Sequence, residues 1–129
     1  MGASAFDIVD TYVHLADGPE AVPVPVGPDF WATIDRRSDL HRGRLVTAYR
    51  FEPGKWNHWE MHPAGDEIVC QFSGAMDLVL EMGRDERTVE LRGRSAFIIP
   101  RGVWHSAIVH APSEALFITR GEGTEHRPA

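Results

Sequence analysis

Two histidines and three acids fall within one short stretch, HWEMHPAGDE, which holds His58, Glu60, His62, Asp66 and Glu67. Imidazole and carboxylate are the usual ligands of zinc, iron, manganese and similar ions, and the same groups do general acid–base work without a metal. Their spacing sorts them. Alternate side chains of a strand share a face and lie about 6.7 Å apart. His58, Glu60 and His62 therefore share one face, and Trp59 and Met61 take the other. In the next run Glu67 shares a face with Val69 and Gln71, opposite Ile68, Cys70 and Phe72. Far along the chain, His105 shares an apolar, inward face with Ala107 and Val109. Two ligands at i and i+2 can converge on one ion from a curved strand, with further ligands from neighbouring strands. Glu60, His62, Glu67 and His105 form such a set if residues 67 and 105 lie beside residue 62. The competing reading makes His58, Glu60 and His62 the solvated face of a half-buried strand, which alternation alone does not exclude.

The elements that must position these residues are short. Turn signals fall at Glu52-Pro-Gly54, Pro63-Ala-Gly65, Ser73-Gly74, Gly83-Arg-Asp85, Arg92-Gly93, Pro100-Arg-Gly102 and Ala111-Pro-Ser113. Between them lie runs rich in Val, Ile, Phe, Thr and Trp: RLVTAYRF, NHWEMH, EIVCQFS, AMDLVLEM, RTVEL, SAFIIP, WHSAIVH and EALFITR. Strands at this spacing predict an all-β sandwich or barrel over residues 41–122. In AMDLVLEM alternation places Met76, Leu78, Leu80 and Met82 on one face. Residues 1–40 read as an arm packed on the barrel. AVPVPVGP is extended through its prolines, DFWATIDRR is one or two helical turns capped by Asp29, and Phe30 and Trp31 are the anchors. Residues 123–129 read as a loose polar tail.

The stretch around His62 resembles the first motif of the cupin superfamily, G-x5-H-x-H-x(3,4)-E-x6-G. Gly54, Glu60, His62, Glu67 and Gly74 keep its spacing, with Glu60 standing where the family usually has its first histidine. Gly93, Pro100, Gly102 and His105 resemble the second motif, G-x5-P-x-G-x2-H-x3-N, with one extra residue before Pro100 and Val109 in place of the Asn. The resemblance implies a double-stranded β-helix, or jelly-roll barrel, open at one end, with Glu60, His62, Glu67 and His105 pointing into the mouth. It also implies a divalent metal there (Fe, Mn, Zn or Ni) and a homodimer, for which pairing through an edge of the N-terminal arm is one route.

A carboxylate in place of an imidazole leaves a two-His, two-carboxylate set. Its negative charges neutralise a divalent ion and favour harder metals over Cu(I). Alternatively Glu60 is a general base beside a three-ligand site, or acts without a metal. Two carboxylates in one pocket raise the pKa of one of them unless a cation sits between, which argues for a bound cation. His58 lies too far along the strand from His62 to share its ion and reads as a pocket-rim residue or proton shuttle. With Gln71, Trp104 and Arg50 it makes up the candidate substrate pocket, placed on position alone. Asp66 reads as a turn residue. His14, His41 and His110 have no motif support, and His126 reads as solvated, with a lid role as the alternative.

The rest of the chain bounds the function. It has 129 residues, 43% of them hydrophobic and 25% charged, enough for one domain with one core. A formal charge of −6 and the absence of basic runs argue against a nucleic acid or anionic membrane partner. The lone Cys70 excludes an intrachain disulfide and reads as a small core residue. The first residues have acids where a signal peptide needs positive charge. Phe6 stands where a myristoylation signal after Gly2 wants Ser or Thr, so the expected compartment is the cytoplasm. Two functions stay open. One is a metal-dependent enzyme acting on a small polar or aromatic molecule by oxygenase-, isomerase- or lyase-type chemistry, with Glu60 as the catalytic residue. The other is a non-catalytic module that binds a sugar or small acid beside a vestigial metal site.

Overall fold

The apolar runs become strands whose inward residues meet in one main core, with a smaller one beside it. The structure is a computed structural model and describes residues 4–129, so Gly2 and its neighbours lie outside the described residues. The strands are β1 (Thr11–Leu15), β2 (Ala21–Pro25), β3 (Arg44–Phe51), β4 (Gly54–Lys55), β5 (His58–Met61), β6 (Glu67–Met82), β7 (Asp85–Arg92), β8 (Ser95–Ile99), β9 (His105–Thr119) and β10 (Glu125–Pro128). All pairings are antiparallel.

Two long strands build the barrel. β6 and β9 run side by side from Ile68↔Ile118 to Leu80↔His105. The first half of β6 pairs on its other edge with β8, and the second half with β7. The first half of β9 pairs on its other edge with β4 and β5, and the second half with β3. Each long strand therefore passes from one layer into the other. The layers enclose Val69, Met76, Leu78, Leu80, Leu91, Ile99, Ala107, Val109, Ala115 and Phe117. Burying each larger aliphatic or aromatic side chain contributes about 1.5–3 kcal/mol. Alternation holds through β6: Glu67, Val69 and Gln71 are buried, while Ile68, Cys70 and Phe72 are not. Cys70 is half-buried on the outer face rather than in the core.

Two expected turns are bends within continuous strands. Ser73-Gly74 and Ala111-Pro-Ser113 face each other where the β6–β9 register shifts. A Cβ on Gly74, whose φ is +99°, would lie 2.2 Å from Ser113 Oγ and 2.5 Å from the Pro112 carbonyl oxygen. Only glycine allows that approach. The backbone groups freed by the bulge are still satisfied. Ser113 Oγ accepts the Ala75 N–H at 3.1 Å and donates to the Ala111 carbonyl at 2.7 Å.

The N-terminal segment adds a hairpin to the edge of β3. Tyr12, Val24 and Phe30 form a second small core. Residues Trp31–Arg36 make a 3-10 helix without a side-chain cap. Asp29 contributes its carbonyl, which accepts the Thr33 N–H, rather than its side chain. Phe30 anchors as expected, at 5% exposure, whereas Trp31 is half exposed at 50%. The Val26 N–H bonds to the carbonyl of Asp10, the residue just before β1, so by alternation the nitrogens of Pro23 and Pro25 face the free edge of β2. Proline nitrogen has no hydrogen to donate, which makes that edge poorly suited to the arm-to-arm pairing expected from the sequence. The tail is not loose: Glu125–Pro128 form β10 and pair with β5 in the register His126↔Glu60. Among the described residues no helix is long and apolar enough to cross a membrane.

Candidate metal centre

Three strand ends deliver the site. β5 carries Glu60 and leads directly to His62, β6 opens on Glu67, and β9 opens on His105. The alternation that sends Val69 and Ala107 into the core sends Glu67 and His105 the same way. Cross-strand pairing places Glu60 opposite His105. His62 is fixed by its carbonyl, which accepts the Gly102 N–H at 3.0 Å. Asp66, expected as a turn residue, accepts the Arg101 N–H at 2.8 Å and ties the loop before β6 to the loop before β9.

One ligand atom each from Glu60, His62, Glu67 and His105 lies within 4.8 Å of all the others. His62 Nε2 is 3.3 Å from Glu67 Oε2, and His105 Nε2 is 3.2 Å from Glu67 Oε1. Glu60 Oε1 is 3.5 Å from His105 Nε2 and 3.8 Å from His62 Nε2. His62 Nε2, Glu67 Oε1 and His105 Nε2 are buried and make no hydrogen bond of good geometry, although both histidine nitrogens stand at ion-pair distance from Glu67. Unpartnered buried polar atoms are rare and call for an explanation, and three of them converging on one point fit the donor set of a cation.

The far side of each imidazole fixes its tautomer. His105 Nδ1 lies 3.0 Å from the Val103 carbonyl, which can only accept, so Nδ1 carries the hydrogen. His62 Nδ1 lies 2.8 Å from Thr124 Oγ1, whose own hydrogen goes to the Gly121 carbonyl at 2.8 Å. The Thr124 oxygen therefore accepts from His62 Nδ1. Both rings are held as metal-ligating histidines are, with the second nitrogen engaged behind and Nε2 aimed at the site. Thr119 Oγ1 donates to Glu67 Oε2 in the same supporting way.

Charge balance can be reached in two ways. Burial disfavours the imidazolium of His62, but Glu60 and Glu67 outweigh it and raise His62 to about 9. Against the same burial, the same two carboxylates raise His105 to about 10. Burial would raise both carboxyls, yet His105 and His62 hold Glu60 and Glu67 well below the usual carboxylate range. Two protons, or one divalent cation, neutralise the pair of carboxylates.

The other residues proposed from the sequence scatter. His58 stands beside Glu60, its Nε2 3.7 Å from Glu60 Oε2, and stacks on Trp56 at a centroid distance of 5.2 Å. Gln71 is buried at the Gly74 bend, where its Nε2 donates to the Gly74 and Gly93 carbonyls, so it supports the turn rather than a substrate. Arg50 points away from the core on β3 and pairs with Glu114 at 3.4 Å. Trp104 carries the Arg127 guanidinium 4.5 Å from its ring centroid and packs the C-terminal strand. His126 is exposed, as expected, but it sits on a strand that brings its Nε2 within 3.4 Å of Glu60 Oε2. Sequence reasoning missed Thr119 and Thr124, for which spacing carries no signal.

A two-layered antiparallel barrel of this topology, with histidines and carboxylates gathered at one end, is the cupin fold. No protein-family description matches the chain, and no curated protein matches it. Solved structures do. A cupin-2 domain protein from Shewanella frigidimarina superposes with a TM-score of 0.50 at 20% identity, covering 67% of this chain and 71% of that one. Bacillus subtilis oxalate decarboxylase superposes with a TM-score of 0.55 at 17% identity, covering 66% of this chain but only 23% of that one. Hydroquinone 1,2-dioxygenase from Sphingomonas, solved with 4-hydroxybenzoate bound, gives a TM-score of 0.52 at 19% identity, covering 59% and 58%. The likeness is one of fold, which hosts many reactions.

Proposed function

We propose that the protein holds a divalent metal ion with Glu60, His62, Glu67 and His105 and acts as an enzyme on a small molecule in the barrel mouth. The observation that carries this reading is the convergence of three buried, unpartnered donor atoms on one point, with the Glu60 carboxylate closing the set. Two carboxylates and two imidazoles suit Mn(II) or Fe(II) better than a soft ion. The Mn(II) centres named for the oxalate decarboxylase are consistent with that preference.

The residues divide the work by depth. His62, Glu67 and His105 have side chains 8%, 4% and 2% exposed and form the floor. Glu60 is 17% exposed and forms the wall that a substrate meets first. A metal bound here would supply Lewis acidity, reduced by the two carboxylates. Glu60 would hold the ion through Oε1, leaving Oε2 to accept or return a substrate proton at the mouth. The substrate class is a small carboxylic acid or hydroxylated aromatic. Oxalate oxidase with glycolate and the dioxygenase with 4-hydroxybenzoate are fold neighbours that bind such molecules.

The test is a survey of Mn(II)- and Fe(II)-loaded protein against small carboxylic acids and hydroxylated aromatics, following oxygen uptake and products. Turnover is expected with the loaded protein and is lost in Glu60→Gln. Unchanged turnover in Glu60→Gln would remove Glu60 from its catalytic role. Ligand-induced stabilisation without turnover across the panel would favour a binding module instead.

A further inference from the structure

Glu60 has two faces, and the centre described above uses one. Oε1 turns inward to His62 and His105, while Oε2 turns outward, 3.4 Å from His126 Nε2 and 3.7 Å from His58 Nε2. Donor atoms of His58, Glu60 and His126 all lie within 4.8 Å of one another. We infer that these three residues form a second divalent-cation site at the barrel mouth, joined to the inner centre by the Glu60 carboxylate. The bridge rests on the proposed inner centre, whereas the outer site stands on its own donors.

The outer residues are held in place. His58 Nδ1 lies 3.2 Å from Asn57 Oδ1, an acceptor, so its hydrogen is engaged there and Nε2 offers its lone pair towards Glu60. The Trp56 ring lies nearly parallel to the His58 ring, at 9°, and fixes its tilt. β10 brings His126 into register with Glu60, and the strand is clamped on both sides. The Arg127 guanidinium lies 5.4 Å from the Trp59 ring centroid and 4.5 Å from that of Trp104, and the Ala129 N–H bonds to the Asn57 carbonyl at 3.1 Å. Two imidazoles, whose ring centroids are 5.7 Å apart, thus flank a single carboxylate oxygen.

The two sites differ in chemistry. The inner set is buried and has two oxygens and two nitrogens, while the outer has two nitrogens and one oxygen. His58 and His126 side chains are 39% and 59% exposed, which leaves room for water or substrate to complete the shell. An imidazole-rich, open site favours Zn(II) or Ni(II) over Mn(II) and binds more weakly than a buried four-ligand set. An ion held at the outer site would take the Glu60 Oε2 lone pair, so Oε2 serves as the substrate base only while that site is empty.

The test is a Zn(II) titration of the metal-stripped full chain in a non-coordinating buffer, read as ions per chain by calorimetry and elemental analysis. The wild type is expected to take two ions, a tight one and a weaker one. His58→Ala and His126→Ala, both half-exposed positions that leave the core intact, are each expected to weaken the second ion at least tenfold and leave the first unchanged. His105→Ala is expected to lose the tight ion. Uptake of one ion, insensitive to His58→Ala and His126→Ala but lost in His105→Ala, would overturn the outer site and keep the inner. Uptake of one ion with the opposite pattern would overturn the inner centre and keep the outer. No uptake would overturn both.

Discussion

Thr124 holds His62 from behind: Oγ1 accepts the Nδ1 hydrogen at 2.8 Å while giving its own hydrogen to the Gly121 carbonyl. A residue 62 positions away in sequence thereby sets the tautomer of a metal-ligand candidate. Replacing Thr124 by Val keeps the shape and removes the acceptor. The expected outcome is a fall of about 10–100-fold in affinity for the inner ion, the usual cost of losing such a supporting bond. Thr124→Ser retains the oxygen and is expected to stay near wild type. Competition with a chromophoric chelator measures both, and equal affinities in Val and Ser variants would contradict the positioning role.

The inner cluster also makes a pH prediction. His62 and His105, raised to about 9 and 10, are protonated at neutral pH in the absence of metal. A divalent ion must displace both protons. Affinity is therefore expected to rise with pH up to about 9–10, with close to two protons released per ion at pH 7. Calorimetry in buffers of differing ionisation enthalpy reads that number. The same shifts affect metal-free stability with opposite signs at the two ends of the scale. The raised histidines stabilise fully below their ordinary 6.5, and that contribution is lost as pH climbs through 9 to 10. The lowered carboxyls of Glu60 and Glu67 stabilise above their ordinary 4.5, and that contribution is lost as pH falls below it. Stripped protein should melt highest between about pH 4.5 and 6.5, and saturating metal should flatten the alkaline decline. A melting temperature that increases from pH 6.5 to 9 in stripped protein would contradict the ion-pair arrangement.

Much of the centre was legible because strand alternation is simple. The i, i+2 spacing of Glu60 and His62, and the shared parity of Glu67 with Val69 and of His105 with Ala107, pointed each side chain correctly. Adjacency was legible only through the likeness to the cupin motifs, since nothing in the spacing says that residue 105 pairs with residue 60. The bends at Ser73-Gly74 and Pro112-Ser113 look like turns because a bulge and a turn both need glycine or proline. Only the opposing strand distinguishes them. GEGTEHRPA looks like a loose tail by composition, yet Arg127 between two tryptophans and the β5 edge order it. Thr124 and His126 became visible only with that strand in place. Gln71 and Arg50 read as pocket residues on position alone. The barrel uses one to satisfy turn carbonyls and turns the other outward.

Gly74 offers a test of the barrel itself. Gly74→Ala would place a methyl 2.2 Å from Ser113 Oγ and 2.6 Å from Ser113 Cα, in a backbone conformation that L residues rarely adopt. The clash and the strain together are expected to destabilise by about 2–5 kcal/mol. Denaturant unfolding measures this, and a loss below ~1 kcal/mol would contradict the close β6–β9 approach.

The central claim is that Glu60, His62, Glu67 and His105 hold a metal. It is tested most directly by elemental analysis of protein equilibrated with Mn(II) and then desalted, so that only tightly held ions remain, compared with His62→Ala treated identically. One Mn(II) per chain in the wild type and none in the variant is the predicted result. Equal metal content in the two proteins, whether a full equivalent or nothing, would contradict the assignment.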